Sequence, residues 1–358
     1  MRDISPYGPT AARKHGRPGR QTRPHSTTID IHSHVSVPAA AALVAPHLDI
    51  STIPLAHFST PDTKEINAQQ EIDRSTRISG RDDGLAERLR DLDDMGIDRQ
   101  LVMPPPPQCY YTVPLDISIK ATRIVNDGIA AYVARKPDRF VGLASVPMAD
   151  GKEAAAELER AMRDLGLKGA EVLTNVAGRE LSDPRFAPFW AKAEALGALV
   201  VIHPNGFTEG ERLRRFYFNN VIGNPFETTL ALHYLIFDGV LERHPNLKLL
   251  AVHGGGYLGG YAGRIDHAWG ARPDCRAGLP HPPTHYLKKV FVDTVVFTPH
   301  QLAALVEVFG ADHVLVGTDY PYDMAESDPL GHLSSVPTFE QSAIEAIAGG
   351  NARRLLGI

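Results

Sequence analysis

The chain has 358 residues, 43% of them hydrophobic and 22% charged, with a formal net charge of −5. These are values of a soluble globular protein; the negative balance argues against nucleic acid as a partner, and no apolar run approaches the roughly 18 residues of a membrane span. The only cysteines, Cys109 and Cys275, show no Cys-x-x-Cys spacing, which excludes a disulfide framework and a sulfur-ligated metal and makes a reducing cytoplasm the default.

Residues 1–27 stand apart. Arg2, Arg13, Lys14, Arg17, Arg20 and Arg23 face a single acid, Asp3, among prolines and glycines, so this stretch reads as a flexible basic tail. From Thr28 onward, strand and helix alternate. The predicted strands are Thr28 to Ile31, Gln100 to Met103, Phe140 to Ser145, Gly169 to Leu173, Leu199 to Ile202, Leu247 to Val252, Val290 to Asp293 and Val314 to Gly317. Each is short, rich in β-branched residues and almost continuously apolar, as parallel strands buried on both faces must be. Helical spacing of apolar residues is plain between Lys152 and Met162, and Pro184 after Ser182 and Asn224-Pro225 mark two more helix starts. Eight such units predict an α/β fold of the closed (β/α)8 TIM barrel type over residues 28–358. No Gly-x-Gly-x-x-Gly follows the first strand, which counts against a dinucleotide site. One connection is too long: about fifty residues separate the first strand from the next helix, where two to six are usual. Residues 35–83 are therefore expected to form an inserted lid or pocket segment over the mouth, and Arg74, Arg77 and Arg81 there could meet an anionic substrate.

Four strand ends carry chemistry. Ile29-Asp30-Ile31-His32-Ser33-His34, Ile202-His203-Pro204, Val252-His253-Gly254-Gly255-Gly256 and Gly317-Thr318-Asp319-Tyr320-Pro321 each place His or Asp just after an apolar run. Parallel barrel strands aim such residues at one point on the C-terminal face. His32 and His34, two apart, project from one side of their strand. Three imidazoles and a carboxylate, from His32, His34, His203 and Asp319, suit one divalent ion: Zn²⁺ first, with Mn²⁺, Fe²⁺ or Co²⁺ as alternatives. His253, followed by three glycines that let the backbone turn tightly, is then left to carry protons beside a filled shell.

These motifs, with Gly263-Arg264-Ile265-Asp266 and Gly350-Asn351-Ala352, resemble those of the amidohydrolase-related metalloenzymes, in particular the aminocarboxymuconate semialdehyde decarboxylase group. The resemblance runs from about Thr28 to Ile358. It implies metal ligation by His32, His34, His203 and Asp319 and catalysis by His253 with Asp319. It further implies a homodimer in which Arg264 binds substrate carboxylate across the interface, with Arg77 nearest by spacing to the family's pocket arginine. The expected reaction is non-oxidative loss of CO₂ from a small aromatic or unsaturated carboxylic acid. Metal-dependent hydrolysis of a lactone, amide or related bond is the alternative, because the same ligands serve both.

Overall fold

The computed structural model describes residues 23–276 and 278–358. Eight parallel strands form the frame: β1 (Ile29–Asp30), β2 (Arg99–Val102), β3 (Phe140–Gly142), β4 (Gly169–Leu173), β5 (Leu199–His203), β6 (Lys248–Ala251), β7 (Phe291–Asp293) and β8 (Val314–Leu315). β1 to β3 pair in order, and so do β4 to β8. Two seams close the ring. Ala144 bridges Ala170 between β3 and β4, and Ser33 bridges Tyr320 where the chain beyond β8 meets the chain beyond β1. Ile31 N donates to Val316 O at 2.8 Å along the second seam. The eightfold alternation read from the sequence is thus a closed barrel, as expected.

Alternate residues of each strand point inward and fill the lumen with Ile29, Ile31, Leu101, Met103, Val141, Leu143, Leu199, Val201, Leu250, Val252 and Leu315. The other face packs against the helices in a larger apolar layer. The sequence thus reads apolar at both parities, because both faces are buried. The helices show the start signals of their sequences with one displacement. Asp150 accepts from Lys152 N and Glu153 N to cap Gly151–Arg163. At Pro184 the cap is Asp183, which accepts from Arg185 N, while Ser182 instead donates to Asp238.

The long connection after β1 is mostly helical. It contains Pro38–Val44, Pro54–His57 and Pro61–Ile78, the last capped by Thr60, whose side chain accepts from Thr63 N. Its two ends are tied to each other by Ser36 N donating to Ile78 O at 2.9 Å, and its middle is tied to the barrel by Leu55 N donating to Asn205 O at 3.1 Å. Asn205 follows the end of β5, so the segment lies over the C-terminal side of that strand. The tail expected over residues 1–27 falls largely outside the described residues. Within the described part, Arg23 pairs with Asp98 at 2.7 Å beside the start of β2. Among the described residues no helix is long and apolar enough to cross a membrane.

Gly169 opens β4 at φ +149°, and a Cβ placed there would lie 1.9 Å from Leu199 O on β5. Side-chain-bearing residues avoid that conformation, and the obstruction is backbone. We expect Gly169→Ala to destabilise the fold by about 2–4 kcal/mol, measured by denaturant titration.

Candidate active site

The tips of β1, β5, β6 and β8 converge. Nε2 of His32 and His34 lie 3.3 Å apart, and Asp319 Oδ1 lies 3.3 Å from the first and 3.2 Å from the second. The ring of His203 stands 5.1 Å from those of His32, His34 and His253, centroid to centroid. His253 Nε2 is 3.5 Å from Asp319 Oδ2. One donor atom each from His32, His203, His253 and Asp319 lies within 4.8 Å of every other. All five residues singled out by strand position are therefore brought together.

The far side of each ring is anchored. His32 Nδ1 meets Asp293 Oδ2 at 2.7 Å, His34 Nδ1 donates to Pro104 O at 3.1 Å, and His203 Nδ1 to Pro204 O at 2.7 Å. Such partners fix tautomer and orientation, and leave the three Nε2 atoms facing a common point. Asp293, at the tip of β7, escaped the sequence reading although it carries the same strand-end signal as the others. Its Oδ1 also accepts from Gly254 N at 2.8 Å, so it holds both His32 and the turn after His253.

The backbone is bent to serve this geometry. His253 and Asp319 both have positive φ, +55° and +62°, and Gly254, Gly255 and Gly256 follow at +63°, +74° and +66°. A Cβ on Gly256 would come within 2.2 Å of Pro225 O, so the triplet is needed for close approach as well as for turning.

The cluster fits a divalent ion. His203 Nε2 is buried with no hydrogen-bond partner, and Asp319 Oδ1 faces the Nε2 atoms of both His32 and His34, a costly arrangement that coordination would relieve. Separations of 3.2 and 3.3 Å between neighbouring donors also match the edge of a tetrahedral shell, about 3.3 Å for bonds near 2.0 Å. Without an ion, charge is balanced by protons. Burial works to lower His32, but Asp319 and Asp293 outweigh it and raise it to about 10. Burial works to raise Asp319, yet His32, His253 and His34 hold it well below the usual carboxylate range. His203 is pushed well down by burial and by the neighbouring imidazoles, and His34 is lowered chiefly by burial.

The arginines are distributed differently. Arg77 is committed elsewhere: its guanidinium meets Glu87 at 2.8 Å and Asp91 at 3.2 Å. Arg74, one helical turn earlier, lies over the ring of Tyr322 with Cζ 4.8 Å from its centroid, and that ring packs edge-on against His34 at 5.2 Å. The structure thus brings Arg74, in place of Arg77, against the cluster. Arg81 is exposed and paired with Asp83. Arg264 is exposed on the helix Leu258–Ala271.

Arg88 was not singled out by the sequence reading, yet it is completely buried. It donates to Gln100 Oε1 at 2.8 Å, to Arg77 O at 3.1 Å and to the carbonyl of His34, and its Cζ lies 4.7 Å from the centroid of the Tyr320 ring. It therefore ties the end of the inserted segment to residues beside two of the converging groups.

A proton balance follows from the raised His32. At neutral pH its imidazole is protonated in the ion-free protein, and coordination requires the neutral ring. This charge favours the ion-free fold below the unfolded value of about 6.5, and that contribution fades as pH rises through about 10. We expect binding of Zn²⁺ at pH 7 to release about one proton from this ring, and affinity to rise about tenfold per pH unit in that range. Calorimetry in buffers of different ionisation enthalpy measures the release; no proton released would contradict the assignment.

Residues 29–358 match the family described as amidohydrolase. The chain is 36% identical over 272 residues to the 2-amino-3-carboxymuconate-6-semialdehyde decarboxylase of Dictyostelium discoideum, covering 76% of each. It is 28% identical over 297 residues to a gamma-resorcylate decarboxylase of Rhizobium radiobacter, covering 75% of this chain and 85% of that one. Among solved structures, 5-carboxyvanillate decarboxylase from Sphingomonas paucimobilis superposes with a TM-score of 0.80 at 26% identity, over 93% of this chain and 99% of that one. With its barrel, its strand-end histidines and aspartate and this similarity along nearly its whole described length, the chain belongs to the amidohydrolase family.

Proposed function

We infer that the protein is a metal-dependent non-oxidative decarboxylase, a carbon–carbon lyase acting on a small aromatic or unsaturated carboxylic acid. The observation that carries this reading is the convergence of His32, His34, His203, His253 and Asp319 in a chain whose relatives along most of their length are decarboxylases. His32, His34, His203 and Asp319 are proposed as ligands, and Zn²⁺ is favoured because imidazole nitrogens dominate the set. An ion bound there would supply a fixed positive charge that orients the substrate carboxylate and a neighbouring oxygen and draws electron density toward them.

His253 is the proton carrier in this scheme. Its side chain is 16% exposed where those of His32 and His34 are fully buried, so it alone of these three imidazoles can exchange protons with the mouth. Asp319 Oδ2, 3.5 Å away, steadies the imidazolium that results. His253 gives a proton to the carbon that bears the carboxylate. The bond from that carbon to the carboxylate then breaks, its electron pair returns to the π system, and CO₂ leaves. The balance is one proton and one carboxylate in, one C–H bond and one CO₂ out, and solvent reprotonates His253. Arg74 over Tyr322 supplies the cation that a carboxylated substrate would meet at the mouth. Hydrolysis of a lactone or amide with His253 or Asp319 as base is the competing use of the same groups, and that cation weighs against it.

A homodimer is proposed from the surface. Phe216, Val221, Phe226, Tyr257 and Tyr261 are exposed by 39% or more, an apolar display beside the helix that carries Arg264. In such a dimer Arg264 is proposed to bind the substrate carboxylate across the interface. A cytoplasmic location rests on the two unpaired cysteines, Cys109 and Cys275.

The double variant His32→Ala, His34→Ala is expected to lose both bound metal, read by elemental analysis, and CO₂ release from benzoate- and muconate-type acids. Turnover by a metal-free variant would end this account. Arg74→Ala is expected to raise KM for carboxylated substrates about tenfold or more with metal content unchanged, and Arg77→Ala to do so far less. Light scattering coupled to gel filtration should give twice the monomer mass of 39.0 kDa, falling to the monomer in Tyr261→Arg.

A further inference from the structure

The helix Pro61–Ile78 of the inserted segment is 18 residues long, and none of them is buried. Ile66 and Ile72 are 59% and 66% exposed. Among the described residues, the side-chain hydrogen bonds of residues 61–73 stay within the helix and its cap, Thr60 with Thr63 and Gln69 with Asp73. An isolated helix of this length is marginal in water, and one without a buried face gains little from packing. What fixes it lies at its C-terminal end.

Two kinds of tie are found there. Backbone ties hold the last turn. Arg88 donates to Arg77 O at 3.1 Å, Ser36 N donates to Ile78 O at 2.9 Å, and a Cβ on Gly84 of the next helix, Asp82–Met95, would lie 2.1 Å from Thr76 O. Side-chain ties hold one face, and both lead to the segment that carries Asp319. Arg77 Nε donates to Asp91 Oδ2 at 3.2 Å, and Tyr320 Oη donates to the same oxygen at 2.7 Å. One turn earlier, Arg74 lies over the ring of Tyr322. Arginines three apart on a helix share a face. The run Asp319-Tyr320-Pro321-Tyr322 therefore grips that face at two heights, directly through Tyr322 and by way of Asp91 from Tyr320.

Asp91 belongs to neither partner. It is half-buried on Asp82–Met95, and one of its oxygens joins the exposed helix to the chain beyond β8. Glu87, one turn earlier, meets the same guanidinium at 2.8 Å but makes no hydrogen bond to Tyr320. Tyr320 is only 7% exposed, so removing Asp91 would leave a nearly buried phenol unpaired as well as loosening Arg77. We propose that Asp91 is a positioning residue for the mouth of the barrel: by holding Arg77 against Tyr320 it keeps the helix Pro61–Ile78 docked and Arg74 over Tyr322, beside His34. The inference rests on the decarboxylase reading only for what Arg74 meets, and docking of the helix is measurable without substrate.

The test is amide hydrogen exchange of the metal-loaded protein, comparing residues 61–78 with strands β5 and β6. Asp91→Ala should speed exchange over 61–78 about fivefold and leave the strands and the metal content unchanged, because an undocked helix with no buried face frays. Arg77→Ala should do at least as much. Glu87→Gln, and Asp91→Asn, which keeps an oxygen acceptor for both donors, should stay within about twofold of wild type. In turnover, Asp91→Ala should raise KM for a carboxylated acid about threefold with kcat held. A merely structural role would speed exchange in the strands too and would not separate KM from kcat. The proposal is overturned if Asp91→Ala exchanges like wild type over 61–78, if exchange rises equally in the strands, or if kcat falls while KM stays. CO₂ release from no acid by wild type would instead sink the decarboxylase reading, and the exchange pattern then decides the role of Asp91.

Discussion

Asp30 accepts hydrogen bonds from His32 N, from both N and Oγ1 of Thr318, and from Gln100 Nε2. Those donors belong to three neighbouring segments of the barrel, at β1, β8 and β2, so a single buried carboxylate fixes their relative heights. Gln100 passes the constraint on to Arg88, and Arg88 to the carbonyl of His34 and the end of the inserted segment. Asp319 N donates to His32 O at 2.9 Å across the same seam. The alignment of His32 and His34 with Asp319 is thus set from behind by a polar network. Burial pushes the Asp30 carboxyl up to about 6 against the pull of Thr318, Gln100 and His32, a sign of how dry that network is. In a dry network each member is strongly held and the loss of any one exposes the others.

The site in front of this network has the opposite character. Its donors face one another unpaired or in proton-sharing contacts, and His32 lies between two carboxylates. A proton and a divalent ion would compete for the same space, and the ion would supply the larger charge. Natural folds tolerate such frustration where function requires it, and compensate elsewhere. Here the strain is local. Two non-glycine residues with positive φ, His253 and Asp319, sit opposite each other at roughly 1–3 kcal/mol apiece, and both are pinned by neighbours: Asp319 by His32 O, and the turn after His253 by Asp293.

The barrel and the convergence of its five strand-end groups were legible in the sequence because both follow from local rules. An apolar run of strand length sets an element, and a His or Asp at its end points to the mouth. What was not legible depends on distance through space. Arg74 and Arg77 lie three residues apart on one helix, and spacing cannot choose between them. The choice is made by Glu87 and Asp91, which capture Arg77 from the following helix. Asp293 was readable by the same rule as its neighbours, but its task, holding the His32 ring in place, appears only with the 2.7 Å contact to His32.

The long connection after β1 shows why length alone misleads. A fifty-residue loop would leave many backbone groups without partners over a pocket that must exclude water. Helices satisfy those groups internally, and the segment then needs only a few ties to the frame. Two lie at its ends, through Val35 N donating to Met103 O and through Arg88, and one at its middle, through Leu55. The middle tie grips Asn205, two residues after His203. There a Cβ on Gly206 would come 2.4 Å from Leu55 N, so glycine is what permits the contact. The segment that presents Arg74 to the mouth is therefore clamped against the loop of one proposed ligand and against the carbonyl of another. The position of that segment and the placement of His34 and His203 are therefore fixed through shared contacts.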